Sequence, residues 1–310
     1  MKTKILILLL ISYQFSFGQS NYINYYNKCN EAEYRLITNN ITIAKQTYAD
    51  AFKLVKKPFG KDLYMMAKCF AMENKFDSAY LFLKKAAISV FPFFEGNIKY
   101  DPTWNSLFNH HPEYKIKVIE IDSMKINKED NDKDFIRKTD TIRYFVKEDQ
   151  LYRVAYTKVQ DMGYDSTTNI YKDALSKMII QDDRIQKELI EYVKQNGYPG
   201  LIQTGSDELS IVLVHFSRNN VQLIKPLLLK GIDEGNIYPM EIATMIDRIE
   251  YSFEKKCGFS FYSMNYCKES DWPEIIKMRL ELGLGIYLGG YGRSVNEKRE
   301  IFPWVGKLIQ

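Results

Sequence analysis

Apolar residues recur at helical spacing along most of this chain of 310 residues, and that periodicity restricts its fold more than any other feature. Alternating polar and apolar residues, the pattern of a half-buried strand, are missing from the sequence. The exception is CGFSFYSMNYC at 257–267, which could form a short hairpin or an extended loop. The sequence therefore predicts an all-α fold. The helices predicted in its second half lie at 141–161, 171–195, 207–216, 221–234, 239–253 and 272–282.

The N-terminal third contains a weak internal repeat, in which ITIAKQTYADAFKLVKKPF at 41–59 aligns with FDSAYLFLKKAAISVFPFF at 76–94. The offset of 35 residues between the copies is close to the length of a tetratricopeptide unit of two helices. The small residues let a neighbouring helix approach closely. The large residue between them fills the groove between the two helices. The aligned residues are Ala44, Tyr48 and Ala51 in the first copy and Ala79, Leu83 and Ala86 in the second.

The stretch 22–124 resembles the tetratricopeptide repeats of exported bacterial proteins, with a partial third unit in YDPTWNSLFNHHPEYKIKVI at 100–119. The resemblance implies tetratricopeptide-like helical hairpins, followed here by an α-helical, bundle-like domain. Such repeats form a concave groove, in which a protein or peptide partner is expected. The alternative, that the repeats only cap the second domain, stays open.

The first residues, MKTKILILLLISYQFSFGQS, have the order of a secretory signal peptide. Two lysines precede an apolar run at 5–11, and small residues at Ser16 and Gly18 suit cleavage before Gln19. The run is too short to cross a bilayer as a stable helix, although a retained anchor is the alternative. No later segment has the length and apolarity of a membrane helix. The mature protein is therefore expected to be periplasmic or secreted, without a membrane span.

Changes in composition divide the chain into five parts. A signal peptide at 1–18 precedes the repeats at 19–124, a charged linker at 125–140, an all-α domain of unknown function at 141–288 and a C-terminal tail at 289–310. The linker, KINKEDNDKDFIRKTD, lacks apolar periodicity and is predicted to be a solvated linker or surface turn. The formal net charge is only +4 and no basic stripe is present, so a nucleic-acid partner is not expected.

Export changes how the four cysteines are interpreted. In an oxidising compartment an even number of cysteines indicates disulfides, and four cysteines allow three pairings. Their positions favour Cys29 with Cys69 and Cys257 with Cys267, because each pair then lies within one predicted domain. No CxxC or HExxH spacing occurs, so neither a metal nor another cofactor is predicted.

Familiar catalytic motifs, among them GxSxG, the P-loop and GxGxxG, are missing, so the candidates are polar residues within helices. Asp149 and Arg153 in KEDQLYR are four residues apart and are expected to form an intrahelical ion pair. Gln150, beside them, is a candidate binding residue. His215 in SIVLVHFSR has a mostly apolar setting. It is interpreted as a core histidine with satisfied hydrogen bonds, and a general base is the alternative.

The segment MIDRIE at 245–250 supplies two further candidates, Asp247 and Arg248, which lie off the apolar stripe of their predicted helix. Adjacent helical side chains point about 100° apart, so these two cannot pair well with each other. Each therefore needs an outside partner, which is another helix, a ligand or, on a solvated face, water. Tyr251 shares the mixed face of Asp247 and is a candidate binding residue.

Five motifs resemble, in order and spacing, an uncharacterised bacterial family, domain-of-unknown-function family 6624, over 148–287. They are DQLYR at 149–153, NGYPG at 196–200, VHFSR at 214–218, MIDRIE at 245–250 and RLELGL at 279–284. The resemblance implies a polar pocket suited to hydrolysis or ligand binding. The family's polar loop after Asp-Arg is aromatic here, with Cys257 at a glutamine position, and Ser217 replaces an acidic residue. Any pocket built from that loop is therefore expected to be altered.

These observations favour an exported helical binding or interaction protein. The alternative is a hydrolase-like enzyme in which His215 is the base, Asp247 orients it, and Arg153 or Arg248 holds an anionic substrate. A purely structural periplasmic protein is a third hypothesis.

Overall fold

Thirteen α-helices and no strand make up the part of the chain that the computed structural model describes, residues 21–89, 102–259 and 263–286. The predicted all-α fold is therefore confirmed. The predicted signal peptide and C-terminal tail lie outside the described residues. The α-helices are, in chain order, α1 (Tyr22–Ile37), α2 (Ile41–Phe52), α3 (Gly60–Met72), α4 (Phe76–Ile88), α5 (Pro102–His110), α6 (Pro112–Asn131), α7 (Lys133–Asp161), α8 (Asn169–Asn196), α9 (Leu201–Thr204), α10 (Leu209–Leu213), α11 (Arg218–Asp233), α12 (Pro239–Ile246) and α13 (Trp272–Leu282).

The first four helices form two consecutive pairs, α1 with α2 and α3 with α4. Each pair is connected by a turn with one asparagine in the left-handed region, Asn39 (φ 63°) and Asn74 (φ 57°), a conformation that asparagine tolerates better than most residues. These two asparagines are separated by the same offset as the aligned residues of the repeat, and those aligned residues are all buried. The internal repeat is thus visible in the backbone, while its tetratricopeptide type stays a prediction.

Helix α1 packs against the second half of the chain. The Tyr26 hydroxyl donates to the Ile237 carbonyl (3.2 Å), and the Asn27 amide nitrogen donates to the Leu280 carbonyl (2.8 Å). The ring of Phe59, just before α3, stacks on Tyr238 with centroids 5.5 Å apart. One cluster of buried side chains therefore runs from α1 through to α13, so α1 is packed against the second half of the chain.

The segment expected to be a solvated linker, 125–140, is helical on both sides of Asp132, so that prediction is wrong about its local structure. The Asp132 carboxylate caps α7 by accepting from the backbone N–H groups of Asp134 and Phe135, both at 3.1 Å. Asp134 then pairs with Arg137 and Lys138 one turn further on. Caps and ion pairs therefore support a helix here without an apolar periodicity.

Helices α7 and α8 form a long pair whose outer half projects from the body. Between residues 150 and 180 no side chain is buried, whereas Asp149 and Gln181 are buried where the pair meets the body. In the outer half, the hydroxyls of Tyr156 on α7 and Tyr171 on α8 form a hydrogen bond with each other. Within the described residues, no helix has the length and apolarity needed to cross a membrane.

Two predicted helices end earlier than their apolar pattern suggested. Helix α10 stops at Leu213, because Ser217 begins a new helix by accepting from the Asn220 N–H (3.4 Å). Helix α12 ends at Ile246 and is followed directly by a π-helical turn (Asp247–Ser252). Two 3₁₀ turns (Ser263–Tyr266 and Glu269–Asp271) then lead to α13. These endings place His215 in a short connection and Arg248 in the π-helical turn.

Candidate functional site

A buried carboxylate, Asp149 at the inner end of α7, organises the candidate site. Its side chain is 2% exposed, and Oδ2 lies 2.9 Å from Nδ1 of His215. The same oxygen accepts from Gln150 Nε2 (2.7 Å) and Arg153 Nε (3.3 Å). An ionised carboxylate can only accept, so Nδ1 of a neutral His215 ring carries the proton. Nε2 then has a free lone pair and can accept a proton or a hydrogen bond.

Arg153 links this carboxylate to a second one on α8. Its Nη2 donates to Asp182 Oδ2 at 2.6 Å, in addition to the intrahelical pair with Asp149 that the sequence predicted. Burial raises the pKa of Asp182; the Arg153 charge opposes that rise, and the nearby Asp149 carboxylate adds to it. Arg153 is therefore committed to two carboxylates behind the His215 ring.

The backbone around His215 is fixed by the side chain of Gln186 on α8. Gln186 Nε2 donates to the His215 carbonyl (2.9 Å), and its Oε1 accepts from the Ser217 N–H (2.9 Å) and from Asn220 Nδ2 (2.8 Å). Gln186 and Asn220 are themselves buried. Because both the ring and its backbone are held, His215 is preorganised.

His215 is one of the residues that line a cavity of about 470 Å³, a usual size for a small-molecule site. The side chain is 17% exposed, so the ring is covered by protein on most sides. Asp149 and Arg153 stand behind the ring and do not line the cavity. The lining residues are Val214, His215, Phe216, Ser217, Arg218, Arg248, Ile249, Phe253 and Glu254.

Arg248, in the π-helical turn, contributes a guanidinium to this cavity. Its Nη1 donates to the Val214 carbonyl, and no carboxylate of the described residues pairs with it. The other arginine of the lining, Arg218, pairs with Glu254 at 2.5 Å. The sequence predicted that Arg248 needs an outside partner, and the structure supplies a backbone carbonyl.

Asp247 does not take part in this site. It is fully buried and accepts from the Phe259 N–H (2.6 Å), the Ser263 N–H (2.7 Å) and the Ser263 hydroxyl (2.8 Å). The expectation that Asp247 orients His215 is therefore not met, since Asp149 holds that ring. The solvated face considered for Asp247 is not observed either, because the chain after the π-helical turn folds back over the carboxylate.

Arg279 on α13 is a buried residue that the sequence did not single out as a site candidate, although it opens the motif RLELGL. It donates to the carbonyls of Phe259 (2.8 Å), Gly285 (3.0 Å) and Leu284 (3.3 Å). Burial lowers the pKa of Arg279 to about 10, and the Asp247 charge opposes that shift. Asp247 and Arg279 thus hold the loop from opposite sides.

Tyr251, a candidate binding residue, lies on the loop side rather than in the cavity. Its hydroxyl faces the Met278 sulfur (3.7 Å), and its ring meets the Phe259 ring edge-on with centroids 5.9 Å apart. A Cβ on Gly258 would collide with the Tyr251 ring and with Asp247, so this position requires glycine. Tyr251 is therefore part of the packing of the loop.

One of the two predicted disulfides is present, Cys257–Cys267, with Cα atoms 4.7 Å apart. The other is wrong, because Cys29 and Cys69 are buried free thiols. Cys29 on α1 lies near the Asp62 carboxyl of α3, and its pKa is raised by burial first and by the Asp62 charge second. Cys69 lies seven residues beyond Asp62, about 10 Å further along the same helix, so the residue of α3 nearest to Cys29 is Asp62 rather than Cys69.

The motif NGYPG has a structural role that involves a residue the sequence analysis missed, Glu241. Gly197 ends α8 with φ 78°, and a Cβ on Gly200 would collide with the Glu241 carboxylate. That carboxylate accepts from the N–H groups of Leu201 and Tyr238, both at 3.2 Å. Burial raises the pKa of Glu241 to about 8, although both hydrogen bonds oppose the rise. The one sequence signal for Glu241 is its position three residues after Tyr238, which is the spacing of a capping box.

The structure therefore divides the predicted site residues into two groups. In the first group, Asp149, Gln150, Arg153 and His215 form one hydrogen-bonded cluster, and Arg248 lines the cavity beside it. The second group, Asp247 and Tyr251, belongs to the packing of the loop. Among the described residues no group of three or more histidine, cysteine or acidic side chains could hold a metal ion. No protein-family model, curated protein or solved structure matches the chain. The resemblances to tetratricopeptide repeats and to family 6624 stay predictions.

Proposed function

We propose that this is an exported helical binding protein whose second half holds a small ligand in the His215 cavity. The observation that carries the proposal is the placement of His215: Asp149 engages Nδ1 of its ring, and the residue lines the cavity. A ligand that donates a hydrogen bond to Nε2 would meet a fixed, partly desolvated acceptor. Preorganisation of this kind reduces the entropy lost on binding.

The proposal is tested by nitrogen-detected NMR of the imidazoles, which is simple in a chain with only three histidines. We expect the neutral His215 ring to be protonated at Nδ1, because Asp149 accepts there. Titration with a fragment library should shift the Nε2 resonance of His215 and leave that of His111, 40% exposed on the other half of the chain, unchanged. His215→Gln assigns the signal.

Protonation of the neutral ring at Nε2 instead would contradict the geometry. A fragment screen that moves the His111 and His215 signals equally, or neither, would contradict a ligand site at this cavity.

Hydrolysis is a second candidate function, favoured by the same Asp149–His215 pair. Nε2 could take a proton from a water molecule in the cavity, while Asp149 stabilises the imidazolium that forms. Arg248 rather than Arg153 would then contact an anionic substrate, because Arg153 is committed to Asp149 and Asp182. For an enzyme, His215→Gln abolishes turnover while substrate still binds; for a binding protein, no substrate is turned over by either form.

Export and a protein partner belong to the same proposal. The disulfide Cys257–Cys267 supports an oxidising compartment. N-terminal sequencing of the protein isolated from culture tests cleavage before Gln19. A protein or peptide partner of the repeats would have to use a face other than the one α1 presents to the second half, and Ile43 on α2 and Leu81 on α4 are exposed there. We also retain the proposal that 148–287 is a member of family 6624.

A further inference from the structure

We infer that the His215 cavity takes an organic oxyanion, a phosphate or carboxylate group carried on a small apolar body. The inference rests on the proposed function, because it names the chemistry of the ligand of that same cavity. It is drawn from three features of the cavity wall: a guanidinium with which no carboxylate of the described residues pairs, the start of a long helix, and an apolar surface.

The first feature is the guanidinium of Arg248. It is half-buried, and its one hydrogen bond among the described residues goes to the Val214 carbonyl, which is neutral. A guanidinium has five N–H donors in a planar fork that matches the oxygens of a carboxylate or phosphate. A partly desolvated cation without a carboxylate partner is stabilised by an anionic ligand.

The remaining charges of the wall do not neutralise Arg248. Glu254 is shared between Arg218 (2.5 Å) and Lys256 (2.7 Å). The two carboxylates behind the His215 ring, Asp149 and Asp182, are held by Arg153 and do not line the cavity. The cavity wall therefore carries excess positive charge.

The second feature is the start of α11, a helix of 16 residues whose N-cap, Ser217, and first residue, Arg218, line the cavity. The first N–H groups of a helix have no acceptor within it. The Ser217 hydroxyl accepts only the Asn220 N–H, which leaves the N–H groups of Arg218 and Asn219 without an acceptor inside the helix. They add to the attraction of the Arg248 guanidinium for an anion.

The third feature is the apolar part of the same wall, formed by Val214, Phe216, Ile249 and Phe253. An inorganic ion would leave this surface and most of the 470 Å³ unused. A ligand with a ring or short chain behind its anionic group would cover it. Its anionic group would lie between Arg248 and the start of α11, close to the His215 ring.

The test measures binding of phenyl phosphate, phenylacetate and the neutral 2-phenylethanol by calorimetry, with inorganic phosphate as a fourth probe. We expect at least one of the two organic anions to bind about tenfold or more tightly than the alcohol, because it gains charge-assisted hydrogen bonds. Which one binds more tightly distinguishes a phosphate from a carboxylate site. Added salt should weaken the anion and leave the alcohol unchanged.

Arg248→Gln should reduce anion binding to the level of the alcohol, whereas Arg248→Lys, which keeps the charge but not the fork, should lose part of it. Arg143→Gln is the matched control, because Arg143 is exposed on α7 and pairs only with Asp140 in the described structure. Thermal melting of each variant identifies any that fails to fold. If Arg248→Gln fails to fold, anion binding by Arg248→Lys decides the test.

Equal affinity for the organic anions and the alcohol, or anion binding that survives both Arg248 substitutions, would overturn the inference. In that outcome the His215 fragment screen still decides whether the cavity binds ligands at all. If no anion binds and neutral fragments shift the His215 signal, the inference fails and the proposed function stands.

Discussion

Replacement of Asp247 by asparagine should lower the free energy of unfolding strongly and leave the hydrogen bonding of His215 unchanged. The carboxylate accepts three hydrogen bonds from the loop that follows it, through Phe259 and Ser263, and it faces the buried cation of Arg279. Asparagine has the same shape but no charge. Its amide group also places an NH₂ donor where one oxygen now accepts from an N–H.

The magnitude follows from what remains buried after the change. A hydrogen bond to a charged group contributes about 1.5–3 kcal/mol, and at least one of the three is lost. Arg279, 1% exposed, keeps its carbonyl acceptors but loses the negative charge of Asp247, which stabilises its charged form. Breaking a buried ion pair by removing one partner costs about 3–5 kcal/mol. We therefore expect Asp247→Asn to lower the free energy of unfolding by about 3–5 kcal/mol.

Urea denaturation at pH 7, followed by circular dichroism with the disulfide oxidised, measures this loss. Asp50→Asn is the matched control, because the Asp50 side chain is 39% exposed and its partners, Gln46 and Lys53, lie within about one turn of it. The imidazole NMR of the variant should still show His215 protonated at Nδ1. A loss below about 1 kcal/mol, or a change in the His215 tautomer, would refute the assignment of Asp247 to the loop.

Two other substitutions test buried groups elsewhere. Glu241→Gln should flatten the dependence of stability on pH: the pKa rises from 4.5 to about 8 on folding, so the wild-type contribution is complete below pH 4.5 and is lost as pH rises to 8. Over that window the loss is up to about 5 kcal/mol, and an unchanged slope in urea titrations at several pH values would contradict it. The double substitution Cys257→Ser, Cys267→Ser should lower the free energy of unfolding by about 2–3 kcal/mol, as expected for a loop this short, and chemical reduction of the wild type should have the same effect. The Cys29→Ser variant, whose cysteine is a free thiol, should respond to reduction like the wild type, and any difference would contradict the assigned pairing.

The helical pairs could be predicted because their information is local. Ala44 and Ala79 recur with the repeat, and they are buried where the small-residue pattern placed them. The turns repeat as well, with Asn39 and Asn74 in matching left-handed positions. Apolar spacing and turn residues within one repeat are sufficient for such a prediction.

The site could be predicted only in its parts. Asp149 and His215 both appeared as candidates, but their contact joins residues 66 positions apart, and helical periodicity contains no information about that pairing. The intrahelical partner of Asp149, Arg153, was predictable because it is local. The same limit explains the incorrect Cys29–Cys69 pairing, since residence in one domain does not bring two Cα atoms within disulfide distance.

The neighbours Asp247 and Arg248 connect two polar systems that the sequence combined into one pocket. Adjacent residues of a helix diverge by about 100°, and here Asp247 turns into the closed loop network while Arg248 turns into the open cavity. The network around Asp247 and Arg279, together with the disulfide, fixes the loop and the π-helical turn that carries Arg248. An aromatic residue at 259 is compatible with this arrangement, because Phe259 donates to the Asp247 carboxylate through its backbone N–H, and Ser263 donates through its N–H and its hydroxyl. The loop therefore supports the π-helical turn that carries Arg248, and none of its described residues lines the cavity next to His215.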